Sequence, residues 1–68
     1  MKEKFIGRYK AAIINYFNAT DRDGRIVRSY VFAEYEKILE EEFGMSHEEV
    51  RKIYDELYIQ KYGKEMRA

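Results

Sequence analysis

The chain has 68 residues, enough for one small domain and too few for two. It contains no cysteine and no proline, which excludes disulfides and thiolate metal sites and removes the strongest helix breaker. Thirteen basic and thirteen acidic side chains cancel to zero, so bulk charge singles out no partner. No apolar run exceeds the four residues of Ala11 to Ile14, far too short to span a bilayer, and no apolar signal core follows the charged first residues. Together these point to a soluble cytoplasmic protein whose modest core leaves it marginally stable.

The first helix is predicted over about residues 4–18. Phe5, Ile6, Tyr9, Ala12, Ile13, Tyr16 and Phe17 fall on one arc at helical spacing. A second stripe, Gly7, Ala11, Ile14 and Asn18, runs along the opposite side. Small residues four apart permit close helix approach, so this stripe offers a homodimer face or a docking site for a protein partner. The plain alternative is a lone exposed isoleucine without consequence.

Thr20-Asp21-Arg22-Asp23-Gly24-Arg25 is dense in turn formers and reads as a loop, with Gly24 at positive φ. A second helix is expected over about 26–43. Its inward arc is Val27, Tyr30, Val31, Tyr35, Ile38, Leu39 and Phe43. Glu34 and Glu42 fall inside that arc by angle, and either one, if buried, needs a cation such as Arg8. Gly44 then supplies a left-handed stop. Ser46-His47-Glu48-Glu49 reads as a capping box opening a third helix over 47–62, with Val50, Ile53, Tyr54, Leu57, Tyr58 and Tyr62 inward and Gly63 as its stop. Residues 64–68 form a frayed tail on this reading. The fold class is therefore all-α, a compact three-helix bundle forming one domain over 1–68, with helices two and three in a helix-turn-helix-like arrangement.

That arrangement raises DNA binding. Gly44 stands in the turn, Leu39, Phe43 and Met45 flank it, and Val50 and Ile53 anchor the following helix. Glu40 departs from the small residue expected before such a turn. His47, Glu48 and Glu49 at the front of the would-be recognition helix, with Asp55 and Glu56 beyond, would face phosphates. The basic residues available for nucleic-acid contact are Arg22, Arg25, Arg28, Arg51 and Lys52.

Asp21-Arg22-Asp23-Gly24-Arg25-Ile26 resembles the middle of an EF-hand calcium loop. Ala19 and Tyr30 occupy the first and the bidentate ligand positions, so too few oxygens are supplied. Tyr16-Phe17-Asn18-Ala19-Thr20 resembles a segment of small helical-hairpin inhibitors of sporulation histidine kinases. Five residues carry no function across. Seven tyrosines suit core packing with hydroxyls at a wet rim, Tyr58 and Tyr62 being the ones expected to be exposed.

No catalytic set is present. His47 is the single histidine, Ser46 is committed as a cap, and no phosphate-cradling glycine loop exists. No metal, cofactor or small-molecule substrate is expected. Charge is unevenly spread, with residues 1–28 at a net +4 (seven basic, three acidic) and residues 29–68 at a net −4 (six basic, ten acidic). The halves can attract one another within a chain or between chains. The sequence thus points to a small non-enzymatic protein-interaction module, with a homodimer as one form of it, in an accessory or regulatory role. Its size and composition suit an accessory protein of a bacterial mobile element or phage. The alternative is a small helix-turn-helix DNA-binding regulator.

Overall fold

The computed structural model describes residues 1–63, so the tail expected over 64–68 lies outside the described residues. Three helices follow in order: α1 (Lys2–Asn18), α2 (Arg22–Glu41) and α3 (His47–Tyr62). All three touch one another, and no strand occurs among the described residues. The densest packing is between α1 and α2, and α3 rests on both at fewer points. Phe5 near the start of α1 meets Phe43 beyond the end of α2, while Tyr16 near the end of α1 meets Phe32. Helices α1 and α2 therefore run antiparallel. Phe17 and Asn18 meet Tyr62 and Lys61, which sets α3 alongside α1 in the same direction.

The core is small. Tyr9, Ile13, Phe17, Leu39 and Val50 form its buried cluster, and Ala12 is buried beside them on α1. Around the cluster pack half-buried side chains from every helix, among them Phe5, Phe32, Tyr54 and Leu57. Most rings meet at tilted or edge-on angles, as aromatic quadrupoles prefer: Tyr16 lies edge-on to Phe32 at 5.1 Å, and Phe17 is edge-on to Tyr54, Tyr58 and Tyr62, while Tyr54 and Tyr58 stack.

Helix α3 starts and stops where its local sequence dictates. Ser46 Oγ accepts from the Glu49 amide at 3.1 Å, and the Ser46 amide donates to Glu49 Oε1 at 2.9 Å. Gly63 ends the helix at φ 72. Gly44, at φ 70, reverses the chain between α2 and α3. The Met45 amide then donates to the Leu39 carbonyl at 3.1 Å and closes the turn.

Helix α2 departs from expectation in three ways. It begins at Arg22, not near residue 26, because Asp21 is extended and caps it, its carboxylate accepting from the Gly24 amide at 3.1 Å. Gly24 is therefore not at positive φ. Its lack of a side chain matters for space, since a Cβ there would collide with the capping Asp21 oxygen. The loop required for an EF-hand reading is absent, as residues 22–26 are helical. The helix also ends earlier, at Glu41, with Phe43 placed in the turn beyond it.

The second departure is the face turned inward. Phe32, which the predicted arc omitted, packs against Tyr9, Tyr16 and Tyr54. Val27, Tyr30 and Val31, which that arc placed inside, are 59%, 69% and 45% exposed. Phe32, Tyr35, Leu39 and Phe43 also have helical spacing. The two arcs share their last members and differ over the first three turns, where the α1 rings select Phe32. The third departure follows from the second: Glu34 and Glu42 are exposed and need no buried partner. A half-buried carboxylate that does take a partner from α1 is Glu36, and the partner is the Tyr9 hydroxyl, not Arg8.

Candidate functional site

Tyr9 is fully buried, and its hydroxyl donates to Glu36 Oε2 at 2.7 Å while lying 3.5 Å from the Val50 carbonyl oxygen. One phenol thus ties all three helices. Burial, followed by the hydrogen bond and the negative charge of Glu36, pushes its pKa above the ordinary tyrosine value. A hydroxyl so enclosed and so reluctant to ionise holds structure. Tyr54 is shifted in the same direction, chiefly by burial. No signal in the sequence paired Tyr9 with Glu36, since they stand 27 residues apart.

The four residues of the α1 stripe, Gly7, Ala11, Ile14 and Asn18, are all exposed. Gly7 faces open space. Ile14 and Asn18 line a shallow cleft of about 190 Å³ with Phe17, Leu57, Gln60 and Lys61, and the Lys61 ammonium donates to Asn18 Oδ1 at 3.1 Å. Ile14, 44% exposed, is the one large apolar side chain of that stripe.

The five basic residues fall into two groups. Arg22 and Arg25 line an open cleft of about 350 Å³ with Tyr16, Ile26 and Ser29, the Arg25 guanidinium sitting 5.5 Å from the Tyr16 ring centroid. Arg28 follows one turn along α2. Arg51, on α3, lines a different cleft with Phe32, Glu36 and Tyr54, and its Nε donates to Asp55 at 3.3 Å. Lys52 is exposed next to it in sequence. Arg25 and Glu36, which mark the two clefts on α2, are separated by about 16 Å of helix. Among the described residues, Arg22, Arg25 and Arg28 have no carboxylate within ion-pair distance. Glu40, the misfit in a helix-turn-helix pattern, instead holds His47 across the turn, with Oε2 3.1 Å from Nδ1.

The most distinctive surface is the outer face of α2. Tyr30, at 69% exposed, is the most open aromatic named among the described residues, ahead of Tyr62 at 40%, while Tyr58 is half-buried. Val27 and Val31 stand one turn apart beside it. Gly24, Val27, Val31, Glu34, Ile38 and Glu41 recur at alternating spacings of three and four, the register of a helix seam. Helix α2 is thus apolar on two sides, one packed inward and one open. Three such side chains exposed on one face is a costly arrangement for a domain with so small a buried core.

No helix among the described residues is long and apolar enough to cross a membrane. No group of three or more metal-ligating side chains occurs among the described residues. No family model, curated protein or solved structure matches the chain.

Proposed function

We propose that the chain is a small cytoplasmic protein-interaction module, non-enzymatic and accessory or regulatory in role, that docks through the outer face of α2. The observation that supports this reading is the exposure of Val27, Tyr30 and Val31 on consecutive turns of one helix. Removing such side chains from water is the main source of association free energy, at roughly 25 cal/mol per Å² of apolar surface. Tyrosine is also among the residue types enriched at binding hot spots. The α1 stripe supports docking less well, since Ile14 alone supplies large apolar area there.

Photo-cross-linking tests the reading. A benzophenone side chain at position 30, in the expressing cell, is expected to form a protein adduct that is lost when Val27→Asp and Val31→Asp are added. The same group at exposed position 10 serves as control. Adducts no stronger at position 30 than at position 10 would overturn the proposal.

A further inference from the structure

We infer that the cleft between the end of α1 and the start of α2 binds a phosphomonoester, with Arg22 and Arg25 on the phosphate and Tyr16 and Ile26 against the apolar group that carries it. This stands apart from the docking reading, which uses Val27, Tyr30 and Val31.

The cleft concentrates uncompensated positive charge. Arg22 opens α2 and Arg25 follows one turn along, at the end of the helix whose dipole disfavours cations. Neither has a carboxylate within ion-pair distance among the described residues. The acids next to them in sequence do not serve: Asp21 accepts from the Gly24 amide, and Asp23 does not line the cleft. Arg28 does not line it either. Its Nη1 lies 3.5 Å from where a Gly24 Cβ would stand, on the side of the capping Asp21. Arg22 and Arg25 therefore share one cleft with no anion to offset them. A bound anion turns the unfavourable dipole and the mutual repulsion of the two guanidinium groups into attraction.

The lining sets the class of anion. The cleft holds about 350 Å³, and ligand clefts run from roughly 300 to 1,000 Å³. Its α2 residues, Arg22, Arg25, Ile26 and Ser29, stand three and four apart on one face, and Tyr16 closes it from α1. The Tyr16 ring, 5.5 Å from the Arg25 guanidinium, steadies that group by a cation–π contact. One guanidinium fork satisfies both oxygens of a carboxylate. Two forks match the three terminal oxygens and nearly double charge of a phosphomonoester. The half-buried Ser29 hydroxyl, which donates to the Ile26 carbonyl at 2.6 Å, can turn to donate to the same group. Tyr16, half-buried, and Ile26, 42% exposed, offer apolar surface to the carrier. A nucleic-acid backbone fits less well. Each diester carries a single charge, and Arg51 lines a different cleft, so the basic residues make no continuous track.

A nitrogen-15 NMR titration of the purified full chain with phenyl phosphate, at constant ionic strength, tests the inference. Saturable shifts are expected at the Arg22 and Arg25 Nε–H signals and at the Ser29 amide. Inorganic phosphate is expected to bind about tenfold more weakly, for want of the ring. Arg22→Gln and Arg25→Gln are each expected to weaken phenyl phosphate about tenfold with an unchanged far-ultraviolet circular dichroism spectrum. Arg28→Gln, the same loss of charge outside the cleft, is expected to change affinity less than about twofold. No saturable shift at millimolar phenyl phosphate would overturn the inference, as would equal affinity for inorganic phosphate. Equal weakening by Arg28→Gln would reduce the effect to bulk charge and overturn it too. A short single-stranded oligonucleotide without terminal phosphate that binds the same residues more tightly would replace the phosphomonoester with a diester backbone.

Discussion

Helices α2 and α3 sit in the same small domain and obey different rules. Helix α3 satisfies each local requirement: a reciprocal capping box, Glu48 and Glu49 in its first turn, Lys61 in its last, and a left-handed glycine at its end. Helix α2 has a cap at Asp21 and little else of the kind. Its arginines crowd the positive end, its glutamates crowd the negative end, and its apolar residues line two sides. Yet α2, not α3, makes the denser contact with α1. A helix that breaks local rules while holding the tertiary centre is shaped by contacts outside itself, and conflicts between local and global preference concentrate at functional surfaces.

The largest test of this contrast removes the inner anchor of α2. Leu39 is fully buried, and Leu39→Ala is expected to cost about 2 to 5 kcal/mol, enough to unfold much of so small a domain at room temperature; chemical denaturation monitored by circular dichroism measures it. Next in size is the tie between the three helices. Tyr9→Phe leaves Glu36 without its donor and is expected to cost about 1 to 2 kcal/mol. The raised pKa of Tyr9 fixes the pH window. An unfolded tyrosine ionises near pH 10 and the folded one does not, so this contribution is complete below about pH 10 and is lost as pH climbs further. Stability of the wild type is expected to fall more steeply above pH 10 than that of Tyr9→Phe.

A smaller effect belongs to α3. Ser46→Ala is expected to lose about 1 kcal/mol, read as a lower thermal midpoint. Glu49 provides the acid-side counterpart. Its carboxyl is held below the ordinary value, first by the backbone hydrogen bond from Ser46, so its contribution is present at neutral pH and is lost as pH falls through the folded value. The smallest effect has the opposite sign. Arg22→Gln removes a cation from the positive end of α2 and is expected to stabilise the fold by about 0.3 kcal/mol, measured by denaturation in phosphate-free buffer.

What the sequence disclosed follows the same division. Helix α3 was legible at both ends, because capping and glycine stops act over a few neighbouring positions. The three-helix architecture was legible from periodicity. The start of α2 was not, since Asp21 and Gly24 resemble a turn as much as a cap until the amide of Gly24 is seen on the Asp21 carboxylate. The inward face of α2 was misread because two arcs of equal regularity share Leu39 and Phe43, and only the rings of α1 decide between them. The outer face was hidden by that same misreading, as its valines and tyrosine had been assigned to the core.

Phe17 has tyrosines 54, 58 and 62 edge-on around it, and the chain has no tryptophan to outshine them. The seating of α3 on α1 therefore has its own optical signal. A well-capped helix can stay wound after leaving its neighbour, so far-ultraviolet ellipticity would persist while the near-ultraviolet tyrosine bands weakened to the share of Tyr9, Tyr16 and Tyr35, which pack between α1 and α2. Undocking and unwinding of the third rod become separable without a label.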